Sequence, residues 1–406
     1  KADSHTVHYG HVTDEDGSPI DEVMATLFRA PRSFTAEDVV EVSTHGGILV
    51  TQKVLERILS TGIRLANPGE FSERAYLNGR IDLVEAESIM DVIEAKSEQA
   101  LKIANLGLRK ETSKLIRDLK DKVLEVISGI EVHIDYPEYD DAIVMTREVI
   151  EPKTRALLKE IDELLKGSQK NRMIRDGVKT VIVGRPNVGK SSLLNALLEE
   201  DKAIVTDIAG TTRDTIEAYI NIQGVTLKLV DTAGIRDSAD VIERMGVMRS
   251  KRALAEAELV LLVLDQSEQL TKEDRELIES TRDKRRLIIG NKADLKRVIS
   301  MSEVVPISSL TRAGIDDLER AILKVLSLED IESREFNYLA NVRHISKVEE
   351  AKRSLKDVLS SIERGMPIDM LSVDLRAAWQ SLGDILGEHD PDQLLDDMFA
   401  RFCLGK

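Results

Sequence analysis

The chain has 406 residues, a formal net charge of −16, 42% hydrophobic and 32% charged residues. That length exceeds one ordinary core, so two or three domains are expected, and the composition is globular, with no apolar run long enough to span a bilayer. The acidic balance argues against non-specific coating of nucleic acid, aromatic residues at 3% argue against a stacking platform for single strands, and a single cysteine excludes an internal disulfide and fits a reducing compartment.

Residues 1–79 alternate short apolar stretches, EVMATLFRA and VVEVSTHGG among them, with the turn residues DEDGSP and NPGE, which predicts a small α+β domain. The opening KADSHTVHYG carries no secretory signal pattern, so a cytoplasmic protein is expected. His5, His8 and His11 recur every three residues. On a strand His5 and His11 share a face that excludes His8, which disfavours a metal site.

From Ile81 to Ile134 there is no proline, and apolar residues recur at three- and four-residue steps, which predicts long helices. Within this run Lys102 to Lys122 holds seven basic residues against three acidic ones. A solvated helix face is the favoured reading, with contact to nucleic-acid phosphates as the alternative. YPEYDD interrupts the pattern, and EVIEPKTRALLKEIDELLKGSQK predicts another helix with Pro152 in its first turn. These segments make residues 80–173 the first part of a helical domain.

The texture changes at Val178. Short continuous apolar runs, KTVIVG, AYINIQ, TLKLVD, LVLLVLD, RLIIGNKAD and EVVPISS, alternate with helical stretches such as SSLLNALLE. This predicts an α/β domain over 174–330 with a parallel sheet covered on both faces. Beyond it RHISKVEEAKRSLKDVLSSI and VDLRAAWQSLGDILG, split near Gly365, return to helix over 331–406. The α/β unit is therefore expected to be inserted into the helical domain.

GRPNVGKS at Gly184–Ser191 matches G-x-x-x-x-G-K-[ST] directly after a strand and at the start of a helix. In such a loop the backbone N–H groups around Asn187, Val188, Gly189 and Ser192 cradle phosphate oxygens, Lys190 reaches the β- and γ-phosphates, and Ser191 offers its hydroxyl to Mg²⁺. Asp231, Thr232, Ala233 and Gly234 spell DTAG after a strand, the place for a carboxylate near magnesium and a glycine N–H near the γ-phosphate. Asn291, Lys292 and Asp294 belong to NKAD, where Asp294 can accept from guanine N1–H and N2–H₂, and adenine lacks those donors. Ser308 and Ser309 follow the next strand, where such a loop touches the base, and Thr212 supplies a second magnesium hydroxyl. Together these predict a Ras-like P-loop GTPase. Small GTPases place Gln after DxxG, but here the position is Ile235, which leaves Arg236, Asp237, Asp240 and Glu243 as candidates near the reaction.

GRPNVGKSSLLNAL, VTDIAGTTRDTIE, DTAGIRDSADVIERMG, FSERAYLNGRIDLVEAE and the terminal C-x-G-K together resemble the MnmE (TrmE) family of tRNA modification GTPases over essentially the whole chain. The resemblance implies a homodimer whose G domains meet across nucleotide in the presence of K⁺. By motif match Asn187 would be a potassium ligand and the loop of Thr206, Asp207, Ile208, Ala209, Gly210, Thr211 and Thr212 would wrap the ion, with Thr206, Ile208 and Thr211 giving oxygens. Glu243 would orient the attacking water. The plainer readings are an Asn that stabilises a turn and a solvated switch-loop carboxylate.

The resemblance further implies a tetrahydrofolate derivative, 5-formyl or methylene, at the amino-terminal domain, touched by Glu41, Arg80 and Lys406. Single charged residues of this kind are otherwise surface ion-pair formers. The family's opening segment is expected to precede Lys1, so its contacts are not assigned. The partner implied is the FAD-dependent MnmG (GidA), and the product a carboxymethylaminomethyl group at C5 of the wobble uridine, position 34, of certain tRNAs. Cys403 in RFCLGK would serve that chemistry, against the plainer reading of a buried or frayed thiol. A GTP-gated scaffold, with the chemistry in the partner, is the competing reading. A ribosome-assembly GTPase related to Era or EngA is disfavoured, because the chain returns to helix rather than to a GxxG-bearing domain.

Overall fold

The computed structural model describes residues 2–135, 147–198, 203–204, 218–230, 253–329, 339–388, 398–400 and 402. Thr6–Thr13 (β1), Pro19–Phe28 (β2) and Val39–Ser43 (β3) form an antiparallel sheet in that order. In its register Phe28 lies opposite Val39 and Thr26 opposite Glu41, and the two-residue side-chain period puts these four on one face. The three expected histidines diverge: His5 precedes β1 at φ 62°, His8 Nε2 pairs with Thr6 Oγ1 at 2.8 Å, and His11 faces Glu22 at 3.5 Å.

Ile48–Leu59 (α1) and Glu70–Leu77 (α2) follow the sheet, and then come Leu83–Glu94 (α3), Glu98–Leu108 (α4) and Glu111–Asp135 (α5). The last buries Ile116, Leu119, Val123, Val126, Ile127 and Ile130, one stripe at three- and four-residue spacing. Arg147–Leu165 (α6) starts earlier than expected, so Pro152 sits inside it and not in its first turn. Ile150, Leu157, Leu158, Ile161 and Leu164 are buried along that helix, and their stripe offsets the roughly 3 kcal/mol that an interior proline costs.

Ser168–Asp176 (α7) leads into Val178–Val183 (β4), the first strand of a seven-stranded sheet among the described residues. Its other elements are Lys190–Leu198 (α8), Ala203–Ile204 (β5), Ala218–Ile222 (β6), Val225–Leu229 (β7), Leu259–Asp265 (β8), Lys272–Ser280 (α9), Arg286–Asn291 (β9), Val304–Pro306 (β10) and Ile315–Leu326 (α10). The strand order is β10-β9-β8-β4-β7-β6-β5.

The sheet is mixed, which corrects the expected parallel arrangement: β10, β9, β8, β4 and β7 run parallel, but β6 pairs antiparallel with β7 and with β5. The cause is local. Gln223 and Gly224 at φ 47° and 90° make a two-residue turn, and so short a loop can only join antiparallel neighbours. All seven residues of β8 are buried, as expected for a strand covered on both faces. Val342–Glu363 (α11) and Ile368–Leu386 (α12) complete the described helices, and α12 packs its Leu371, Leu375, Ala378 and Leu382 stripe along α5.

The chain divides into two compact units, one of residues 1–90, 107–158 and 347–406, the other of residues 91–106 and 159–346. The second contains the seven-stranded sheet, whose core joins Val178, Leu193, Leu227, Leu261 and Ile289. In the first, part of the basic run at and before the start of α5 is engaged internally: Lys110 with Glu85 at 3.0 Å, Arg117 with Asp82 at 2.7 Å, and Lys120 with Glu388 and over the Trp379 ring.

Candidate nucleotide site and a second cleft

The loop between β4 and α8 is shaped by what a side chain would strike. A Cβ on Gly184 would lie 2.4 Å from the Val263 carbonyl oxygen, and one on Gly189, at φ 95°, would lie 2.2 Å from Asn291 Nδ2. Both positions therefore require glycine. Asn187 also adopts the left-handed region, at φ 64°, which an Asn tolerates better than most residues. Asn187, Ser191 and Ser192 are exposed, whereas Val188 is fully buried and pins the loop from beneath.

The Lys190 ammonium donates to the carbonyls of Gly184 and Arg185, at 2.8 Å each. Burial pushes its pKa down, with the negative charge of Glu273 opposing that shift. A partly buried cation whose hydrogen bonds go to neutral carbonyls has a large unmet affinity for an anion.

The ends of β8, β9 and β10 are joined to one another by hydrogen bonds, and that of β9 is bonded to this loop. Asn291, at the end of β9 and 2% exposed, donates from Nδ2 to the Val188 carbonyl at 2.9 Å. Its Oδ1 accepts from Ser309 N and Ser309 Oγ, both at 3.0 Å. One amide thus joins the phosphate loop to the loop after β10. Asp294, exposed, is held at one oxygen by Ser308 Oγ at 2.6 Å, and Ser308 in turn accepts from Thr311 N at 3.1 Å. Lys292, at φ 65°, reaches Asp265 Oδ2 at 2.6 Å. Burial opposes ionisation of Asp265, but the hydrogen bonds from Lys292 and Ser267 outweigh it and hold that carboxyl below its usual range.

In the other unit, Glu41 and Arg80 line one cleft of about 530 Å³, together with Arg32 and the apolar walls of Phe28, Pro31 and Phe34. Register explains Glu41, since β3 turns it to the face that carries Phe28. Arg80 arrives from the turn after α2, where its N–H bonds the Ala75 carbonyl at 2.8 Å.

Comparison with known proteins decides what this combination is. Residues 1–80 match the family model described as the GTP-binding protein TrmE N-terminus, and residues 83–403 match that of the MnmE helical domain. The chain belongs to the MnmE (TrmE) family. A relative from Acholeplasma laidlawii, named tRNA modification GTPase MnmE, is 61% identical over 100% of this chain and 91% of its own. One of the same name from Aster yellows witches'-broom phytoplasma is 51% identical over 100% of this chain and 91% of its own. Among solved structures, the G domain of the T. maritima FeoB iron transporter is 26% identical over 36% of this chain and 98% of that one, with a TM-score of 0.28.

Of the residues that the nucleotide motifs and the MnmE resemblance single out, the structure gathers Asn187, Val188, Gly189, Lys190, Ser191, Ser192, Asn291, Lys292, Asp294, Ser308 and Ser309 around the loop ends of one sheet, and puts Glu41 and Arg80 in one cleft. Thr206–Thr212, Asp231–Gly234, Ile235, Arg236, Asp237, Asp240, Glu243, Cys403 and Lys406 lie outside the described residues.

Sequence reasoning missed Asp265, Arg185 and Asp274. Arg185, inside the phosphate loop, pairs with Glu268 and lies 3.4 Å from Asp274. Asp274 caps α9 in a reciprocal pair with Thr271, its N–H bonding Thr271 Oγ1 at 3.2 Å and its Oδ2 accepting Thr271 N at 2.9 Å. For Asp265 and Asp274 the signals were present: LVLLVLD ends a strand in Asp, and TKED carries the spacing of a capping box.

Proposed function

We propose that this chain is a K⁺-stimulated GTPase that acts with the flavoprotein MnmG (GidA) to install a carboxymethylaminomethyl group at C5 of the wobble uridine of certain tRNAs, using a one-carbon unit from tetrahydrofolate. The reading places a G domain at 174–330 between helical segments 80–173 and 331–406, behind a folate-binding and dimerising domain at 1–79. The observation that carries it is the pairing, within a single chain matched end to end by MnmE relatives, of a glycine-shaped phosphate loop with a cleft lined by Glu41 and Arg80.

In this mechanism Lys190 exchanges its carbonyl partners for β- and γ-phosphate oxygens, and the amides from Asn187 to Ser192 orient the triphosphate at the start of α8. Asp294, steadied by Ser308, accepts from guanine, and a base without those donors would leave its carboxylate unpaired. Ser191 and Thr212 would hold Mg²⁺, beside Asp231 of the DTAG stretch, and Asn187 with Thr206, Ile208 and Thr211 would hold K⁺. A monovalent cation there supplies positive charge against the developing transition state, the part arginine plays in other GTPases. Glu243 orients the attacking water. In the cleft Glu41 would suit the N–H donors of a pterin, Phe28 and Phe34 would offer it apolar walls, and Arg80, with Lys406, would suit the glutamate carboxylates.

GTP turnover measured in K⁺ and in Na⁺ tests the reading. Turnover is expected to fall by about 100-fold in Na⁺, the scale of one lost electrostatic donor. Equal rates in the two salts would remove the cation from the mechanism.

A further inference from the structure

Within the phosphate loop, Gly184 and Gly189 are closely faced by the Val263 carbonyl and Asn291, and Val188 is buried, whereas Pro186 and Asn187 are exposed. Between these two groups stands Arg185, whose side chain is 18% exposed and reaches the connection between β8 and α9. Its Nη2 donates to Glu268 Oε2, and its Nε lies 3.4 Å from Asp274 Oδ2. The carbonyl of the same residue, with that of Gly184, accepts from the Lys190 ammonium. The Arg185 side chain therefore steadies one of the two oxygens on which Lys190 rests.

The far end of this tether is itself held. Asp265 closes β8 by accepting from Ser267 N at 3.0 Å and Ser267 Oγ at 2.6 Å, and Gln266 N bonds the Asn291 carbonyl at 3.1 Å, so the backbone just before Glu268 is fixed to two strand ends. The Asp274 side chain is 4% exposed, and its Oδ2 accepts from Thr271 N at 2.9 Å and Thr271 Oγ1 at 2.8 Å. Among the described residues Arg185 is the cation that pairs with it. Separating a nearly buried carboxylate from its cation strands a charge away from water, whereas an exposed pair such as that with Glu268 adds little. Asp274 is therefore the stronger anchor.

We propose that Arg185 is a positioning residue for nucleotide binding: tied to Asp274 and Glu268, it holds the first turn of the phosphate loop where the Lys190 ammonium can pass from the Gly184 and Arg185 carbonyls to phosphate oxygens. This deepens, and rests on, the reading of Gly184–Ser191 as the phosphate loop. The guanidinium is committed to carboxylates, and Arg185 acts through the backbone that it holds.

Titration calorimetry with GTP and GDP, and steady-state turnover, test this on the full-length chain. Arg185→Gln removes the charge and is expected to weaken both nucleotides about tenfold, the scale of one charge-assisted hydrogen bond. The loss should fall on KM, with kcat at saturating GTP lowered less than about threefold, the pattern of an interaction that serves ground state and transition state alike. Arg185→Lys keeps the charge and should bind within about threefold of wild type. Asp274→Asn keeps an oxygen for the α9 cap and removes the anion, and should weaken GTP about fivefold. Because the two residues act as one unit, the double variant Arg185→Gln with Asp274→Asn should bind no more weakly than Arg185→Gln alone.

Wild-type affinity in Arg185→Gln would overturn the proposal, as would losses that multiply in the double variant, a fall in kcat with KM unchanged, or a lysine variant as weak as the glutamine one. Should Arg185→Gln fail to fold, Asp274→Asn carries the test alone and must weaken GTP binding. Lys190→Ala separates the proposal from the reading beneath it. If that variant keeps wild-type affinity, Gly184–Ser191 is not the phosphate loop; if it loses binding while Arg185→Gln does not, only the tether is removed.

Discussion

Asn291 is 2% exposed and bonded at both of its side-chain polar atoms, whereas Glu41 and Arg80 are exposed on the wall of an open cleft. The nucleotide site is thus preorganised by buried hydrogen bonds among its own loops, and the cleft offers charges that a ligand would order. A substitution in the first leaves polar groups stranded, while in the second it removes only the contact to the ligand. The costs should differ accordingly.

The sharpest way to break this contrast is Asn291→Ala. It orphans the Val188 carbonyl and the Ser309 N–H at a site closed from water, each loss costing about 1–3 kcal/mol. GTP affinity, measured by calorimetry, is expected to fall about 10- to 100-fold although Asn291 lies under the phosphate loop. Wild-type affinity would show that the loops hold their places without this amide, and the distinction between the two regions would fail.

The same contrast explains what could be read from the amino-acid order. Each nucleotide motif sits at the end of an apolar strand, so a parallel α/β pattern predicts that the loops meet, and they do for Gly184–Ser192, Asn291–Asp294 and Ser308–Ser309. The β6–β7 reversal was hidden because INIQGVT lacks the Asn-Gly or Asp-Gly that marks most two-residue hairpins. Pro152 misled because its stripe of buried residues begins before it, at Ile150. Arg185 was invisible as a tether, since nothing local to GRPNVGKS specifies Asp274 as its neighbour. The cleft was legible only through family resemblance. Antiparallel register brings Glu41 beside Phe28, but no spacing rule joins Glu41 to Arg80.

A smaller effect is expected in the cleft. Arg80→Ala should weaken binding of a tetrahydrofolate about tenfold, the worth of one charge-assisted hydrogen bond in partly exposed surroundings, and leave GTP affinity unchanged. Fluorescence titration with the folate measures it. Retained affinity would take Arg80 out of the site, and a parallel loss of GTP binding would mean that the two regions are not independent.

The least effect concerns acid sensitivity. Hydrogen bonds from Arg64, from Asn67 N and from Arg74 outweigh burial and hold the Glu70 pKa at about 2, below the ordinary value of 4.5. Because the folded value is depressed, the stabilisation is fully present above the unfolded value and is lost as pH falls from 4.5 toward about 2. Removing the charge with Glu70→Gln leaves Arg64 and Arg74 facing each other without their shared anion. The variant should therefore melt below wild type at neutral pH, and the gap should narrow through that acid window. Arg185 provides the contrast: its pKa is raised despite burial, by Glu268 and Asp274, and a guanidinium that stays charged over the whole range adds no such window. A melting gap that stays constant from neutral to acid pH would show that Glu70 acts by shape alone.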